Sequence, residues 1–355
     1  MKPFSFIVVG SGYRAMFYTR IARAFPDQFE LKYVLCRSEE KVQKLIREHG
    51  VPATASVQVC ENACPDFVVV AVNKDSIADV AREWVLKGYP VVTETPAGSS
   101  VEKLNALWDL KKNDGGRIMV CEQYRRYPVL AAGLKAIEEG RLGDPYAVYL
   151  SVAHDYHGVS LIRRMLKIGL EPVRMRGSRY EFPVTETDSR YGAVTDGRTA
   201  RKIRDHVTME FASGKAAFYD FSGVQYHSYI RSRHLTVQGQ NGEWSDTILR
   251  YVKDDHRPET EYLLPYFVPR YRALETGRLK ELCSCWKPEL LLDQEQDEYA
   301  IATMLYDFRD YLAGGPEVYP LAEALEDAYL WKLMQEAVWN PGKEIVSERM
   351  PWHER

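Results

Sequence analysis

Residues 4–15, Phe-Ser-Phe-Ile-Val-Val-Gly-Ser-Gly-Tyr-Arg-Ala, constrain this chain more than any other stretch. A short apolar run that ends in glycines and then turns helical reads as the first strand, turn and helix of a dinucleotide-binding unit. Gly10 permits the tight turn, Gly12 lets a pyrophosphate approach the backbone, and Ala15 is small enough for the helix to pack on the strand. Ser11, Tyr13 and Arg14 complete the turn, and the helix that follows offers its free N–H groups to phosphates.

Strands and helices alternate through the rest of the first third. The pattern predicts strands at 29–36, 67–72, 91–93 and 117–123, with helices over 39–48, 76–87 and from the Ser99-Ser-Val-Glu102 capping box to residue 113. The run at 67–72 is apolar throughout, as a parallel strand covered on both faces should be. Alternation of this kind specifies an α/β fold with a doubly wound parallel sheet over residues 1–123, whose ligand lies beyond the C-terminal strand ends. Val72 and Asn73, Glu94-Thr95-Pro96 and Glu122 stand at those ends. A strand-end acid after 29–36 would bind a ribose 2′-OH, whereas Arg there suits a 2′-phosphate. The residues are Cys36-Arg37-Ser38, so NAD and NADP both stay open, with Arg37 tipping the reading toward NADP.

At 355 residues, two domains are expected, the second spanning 124–355. Its strands have period two, at 147–153, 206–211, 215–221 and 235–239, after a helix over 129–139; they predict a mainly antiparallel sheet with one open face. Residues 254–286 show no clear period and read as an irregular insertion. Helices over 294–312 and 321–339 close the chain, and the second is expected to pack back on the first domain. The net charge of −3 argues against a nucleic-acid partner. No apolar run is long enough to span a membrane. Cys36, Cys60, Cys64, Cys121, Cys283 and Cys285 follow no zinc spacing, so no metal and a cytoplasmic, thiol-reducing setting are expected.

These motifs together resemble the Gfo/Idh/MocA family, named for glucose-fructose oxidoreductase, inositol dehydrogenase and a rhizopine catabolism protein. The carriers are residues 7–15, Gly88-Tyr-Pro-Val-Val-Thr-Glu-Thr-Pro-Ala97, Gln123-Tyr-Arg-Arg-Tyr-Pro128, Glu139-Gly-Arg-Leu-Gly-Asp144 and residues 319–328. The resemblance implies a Rossmann domain, a second α/β domain whose open sheet forms a homo-oligomer interface (dimer or tetramer), and NAD(P)-linked oxidation of a sugar or cyclitol alcohol. Two positions depart from it. The family's Glu-Lys-Pro is Glu94-Thr95-Pro96, and its Asp four residues before a His is Ala153, with the His at His157.

Hydride removal from a carbinol carbon requires the hydroxyl proton to leave too, and a Thr hydroxyl cannot take it. An imidazole, which ordinarily titrates near pH ~6.5, can. His157, expected at the end of a sheet strand, is the first candidate base; His154 and Asp155 follow, and Tyr156 could donate a hydrogen bond. His154 and Tyr156 could equally just cover one strand face. Tyr124 and Arg125 resemble the family's Tyr-Arg pair and, with Glu122, are substrate-binding candidates. The alternatives are a degenerate nucleotide-binding sensor or partner subunit, and a redox-neutral enzyme that passes through a transient keto-sugar with its cofactor retained.

Overall fold

A computed structural model describes residues 2–189, 192–263 and 296–354, which fall into two compact units. The first contains residues 2–127, 296–329 and 351–354. Its strands β1 (Phe4–Val9), β2 (Phe29–Leu35), β3 (Ala53–Thr54), β4 (Phe67–Val70), β5 (Val91–Thr93) and β6 (Ile118–Val120) form one parallel sheet in the order β3-β2-β1-β4-β5-β6. All four residues of β4 are fully buried, which is why its sequence is apolar without alternation. Helices α1 (Ala15–Ala24), α2 (Glu39–His49), α3 (Val57–Asn62), α4 (Ile77–Leu86) and α5 (Val101–Asp114) connect the strands.

The sequence reading matches this half, with three corrections. It misses β3 and α3, two- and six-residue elements too short to show a period. The helix after Gly98 is capped by Ser100, not Ser99: the Ser100 hydroxyl accepts the Lys103 N–H at 3.4 Å. β4 ends at Val70, so Val72 and Asn73 lie in the loop beyond it, where the chain is free to face a ligand.

The second unit contains residues 128–189, 192–263 and 330–350. After α6 (Pro128–Glu138) come β7 (Pro145–Ser151), α7 (Asp155–Leu166), β8 (Val173–Thr185), β9 (Asp188–Ser189), β10 (Gly192–Ala193), β11 (Thr199–Phe211), β12 (Ala216–Phe221), β13 (His234–Gly239), β14 (Gly242–Ser245), β15 (Ile248–Val252) and β16 (Pro258–Tyr262). Helices α8 (Gln296–Leu312) and α9 (Leu321–Trp339) and strand β17 (Ile345–Val346) complete the chain. The large sheet runs β16-β15-β14-β13-β7-β12-β11-β8-β17, antiparallel except for the β12–β7 pair. Val148, Leu150, Ala217, Tyr219, Val207 and Met209 are buried on one face, while Tyr149, Tyr180 and Phe182 stand exposed on the other. The expected half-open sheet is present.

Several elements here differ from the sequence reading, which gave no α7, β9, β10, β14, β15 or β17. β8, a thirteen-residue strand paired along its whole length with β11, was not expected. β16 lies inside the stretch read as irregular; the rest of 254–286 is outside the described residues. The strand expected at 147–153 stops at Ser151, and the chain then turns into α7, so His157 sits in a helix rather than on a strand.

Candidate functional site

The loops after β1, β2 and β4 surround a cleft of about 690 Å³ in the first unit. Strand order reverses between β1 and β4, the switch point at which such sheets bind ligands. Gly10 has φ +116°, and a Cβ there would lie 2.3 Å from the Ala71 carbonyl oxygen; only glycine fits. At Gly12, by contrast, a Cβ would meet nothing within 4 Å: the space is open on the cleft side. No side chain caps α1; its Met16 and Phe17 N–H groups donate to the Tyr13 and Arg14 carbonyls of the turn, both at 3.2 Å. A dinucleotide's pyrophosphate fits such a turn.

Gly10, Ser11, Gly12, Tyr13, Arg14, Arg37, Val72 and Asn73, all cofactor candidates from the sequence, line this cleft. Ala15 is fully buried and serves packing. The Ser38 hydroxyl is engaged as the cap of α2, accepting the Lys41 N–H at 3.4 Å. Lys41, Glu83 and Trp84 also line the wall and were not anticipated. Lys41 and Glu83 are polar residues on helices, and only the position of Lys41, four residues beyond Arg37, could have marked it.

Glu94 belongs to a buried ionic cluster instead of the cleft wall. Its carboxylate accepts the Tyr18 hydroxyl at 2.7 Å and lies 3.3 Å from Arg14 Nε. Arg14 Nη1 is also 3.6 Å from Asp297, which accepts hydrogen bonds from Tyr127 and Gln123. Burial opposes the Arg14 charge, but Glu94 and Asp297 outweigh it and hold the guanidinium firmly protonated. Burial, then Cys121 and Glu94, push the Tyr18 phenol well above its ordinary value, so it stays a donor. Asp297 is almost the length of the chain away from Arg14, and no local pattern signals the pair.

Thr95 and Pro96, joined by a cis bond, are half-buried just beyond β5. Glu122 is buried and accepts the Tyr124 N–H at 3.1 Å. The Tyr124 ring packs 4.7 Å from Tyr127, and the Arg125 guanidinium lies 4.7 Å above Tyr319. These three substrate candidates are thus held on the short turn that follows β6.

In the second unit, His154 precedes α7 and His157 occupies its first turn, with ring centroids 5.0 Å apart and the rings nearly perpendicular. His157 is 4% exposed. Tyr156 is buried, its ring 5.9 Å from His157. Asp155 has φ +45°, an uncommon conformation for a residue with a side chain, and its N–H donates to the Tyr219 hydroxyl at 3.1 Å. A Cβ at Gly158 would come within 2.6 Å of the Tyr219 ring, so glycine is what lets α7 approach β12 this closely. Tyr226, missed in the sequence, bonds to His154. Among the described residues no three His, Cys, Asp or Glu side chains are grouped to hold a metal ion, and His206 is exposed on β11. Nor is any described helix long and apolar enough to cross a membrane.

The glycine turn, the strand order and the cleft together define a nucleotide-binding protein of the Rossmann class. Residues 4–122 match the sequence model of the Gfo/Idh/MocA oxidoreductases, an oxidoreductase family with an NAD-binding Rossmann fold. Solved structures share the fold across both units. Levoglucosan dehydrogenase in complex with NADH and levoglucosan is 16% identical, with a TM-score of 0.71 over 98% of this chain and 100% of that one. The WlbA dehydrogenase of Bordetella pertussis, in complex with NADH and UDP-GlcNAcA, is 18% identical, with a TM-score of 0.66 over 98% and 99%. A putative myo-inositol dehydrogenase from Sinorhizobium meliloti is 16% identical, with a TM-score of 0.65 over 96% and 98%. No curated protein matches the chain in sequence.

Proposed function

We propose that the chain is an NAD(P)-dependent dehydrogenase of a secondary alcohol on a sugar, glycoside or cyclitol, working in the cytoplasm as a homo-oligomer. The cleft at Gly10–Gly12, open at the Gly12 Cβ position and closed at Gly10 by the Ala71 carbonyl, is the observation that carries it. The sugars named with two of the similar folds support the substrate class.

Gly10, Gly12 and the first turn of α1 would hold the pyrophosphate, and Val72 and Asn73 would border the ribose on the same wall. Arg37, just after β2, and Lys41, in the first turn of α2, supply two cations to the cleft wall, and no acid stands at the end of β2 itself, which favours the 2′-phosphate of NADP. The bound nicotinamide would supply the hydride acceptor or donor. His157, an imidazole in the first turn of α7, takes the hydroxyl proton as the carbinol carbon is oxidised and returns it in reduction. His154, Asp155 and Tyr156 flank it, and Glu122, Tyr124 and Arg125 are assigned to binding substrate hydroxyls. Glu94, Thr95 and Pro96 shape the end of β5, with Arg14 fixing the Glu94 carboxylate.

The test is to denature the purified protein, identify any released nucleotide, and titrate the intact protein with sugars, glycosides and cyclitols while following reduced-nicotinamide absorbance. Turnover with one of these classes is the expected result, and His157→Ala should lower kcat by about 10²-fold or more, the usual worth of a positioned acid/base. Bound nucleotide with no reaction in either direction would instead mark a sensor, product without added oxidant a redox-neutral enzyme, and full turnover by His157→Ala would remove that residue from the mechanism.

A further inference from the structure

The cleft of the first unit sorts its charges by wall. Arg14, from the turn after β1, and Arg37 and Lys41, from the β2–α2 side, bring cations to it, as a ligand with several phosphates requires. Among the described residues, Glu83 on α4 is the one carboxylate that lines the cleft. Glu83 is exposed and pairs with no described cation: Lys87, one turn further on, gives its ammonium to Glu61 of α3 at 2.6 Å instead. A carboxylate there works against a polyanion and ties no two elements of the unit together. A donor on the ligand is the partner left to it.

The neighbours of Glu83 narrow what that donor belongs to. Val80 and Trp84 of α4, with Val57 at the start of α3, make this part of the wall apolar. The Trp84 ring is met edge-on by Tyr89 at 5.5 Å and lies 5.9 Å from the Lys87 ammonium. Through the Lys87–Glu61 pair the same lysine joins α4 to α3, so this wall is set before any ligand arrives. An apolar wall with one acceptor on it suits a flat heterocycle that carries a donor. In an adenine dinucleotide the adenine is that group: its exocyclic N6 amine donates, and a carboxylate only accepts.

We propose that Glu83 accepts the adenine N6 amine and selects adenine among flat bases that would fill the same part of the cleft. The assignment rests on the nucleotide reading of the cleft and adds to it the residue that reads the base.

The test titrates the full chain with NADH and NADPH, each beside an analogue in which unsubstituted purine replaces adenine, and follows the fluorescence of the bound nicotinamide. Purine keeps the shape of the base and lacks only the amine. The unmodified protein should bind the adenine form about tenfold or more tightly, the worth of one hydrogen bond to a charged group. In Glu83→Ala the preference should fall toward one. The ratio is the decisive quantity, because removing a negative charge from the cleft acts on both nucleotides alike. Equal affinities in the unmodified protein, or an undiminished preference in Glu83→Ala, overturn the assignment while leaving the nucleotide reading in place. Failure of all four nucleotides to bind overturns that reading and the assignment with it.

Discussion

Gly10 and Gly12 look alike in the sequence and do different jobs. Gly10 is needed by the fold: its φ of +116° and the Ala71 carbonyl 2.3 Å from a built Cβ leave no room for a side chain. Gly10→Ala should therefore cost at least ~1–3 kcal/mol of stability from the backbone alone, read as a lower urea midpoint. Gly12 is not needed by the fold in that way, since nothing surrounds its Cβ position, and the proposal gives that space to the pyrophosphate. Gly12→Ala should leave stability within about 0.5 kcal/mol yet weaken nucleotide binding, measured by quenching of protein fluorescence or by calorimetry. If Gly12→Ala bound nucleotide as well as the parent, the pyrophosphate would have to sit elsewhere. Both residues were legible in the sequence because glycine is the one residue whose absence of a side chain is itself the function. The Arg14–Glu94–Asp297 cluster was not, because its partners meet only through tertiary packing.

At the scale of elements, the strand-to-helix junction to which the proposal assigns proton transfer is also where the sequence reading fails. Strand β7 runs only to Ser151, but the expectation carried the strand through Ala153 and placed His157 at its end. The apolar Val152 and Ala153 are buried in the turn, so burial there mimics a strand without extended pairing. Asp155 in a positive-φ conformation, with its N–H given to Tyr219, then redirects the chain into α7. The junction of β2 and α2 makes its own prediction. Arg37 and Lys41 line the cleft and β2 ends without an acid. Replacing both by Ser should weaken NADP(H) relative to NAD(H) by about tenfold or more, as loss of charge-assisted hydrogen bonds implies. Titration of each nucleotide into parent and variant decides it: an unchanged ratio would mean these cations face solvent when the nucleotide is bound.

Across the whole molecule, the parallel sheet was readable almost strand by strand, since its strands are short, mostly apolar and followed by helices, of which α2 and α5 carry serine caps. The second sheet was readable in kind only. In β8 the alternation of Val173, Met175 and Gly177 with Arg174 and Arg176 is interrupted in character beyond Arg179, where Tyr180 and Phe182 lie exposed on the open side. That open face is what the homo-oligomer proposal rests on. Pairing register aligns Arg176, Thr208, Phe218, Tyr149 and Thr236 in one row across five strands, with Tyr149 and Phe218 stacked at 4.7 Å. The opposite face is filled by Trp244, Tyr219 and Val237, so the two sides of one sheet differ sharply in what they can leave to water. An exposed Tyr149 stacked on a half-buried Phe218 in such a row favours a symmetric partner that offers the same row in return. Light scattering of the parent protein should give a dimer or tetramer, and Tyr149→Glu with Phe218→Glu should shift it to the monomer, since two carboxylates on each copy would face two on the other. Far-ultraviolet circular dichroism would verify that the variant keeps its sheet. A monomeric parent would overturn the interface, and an unchanged oligomer in the folded variant would move it to another surface.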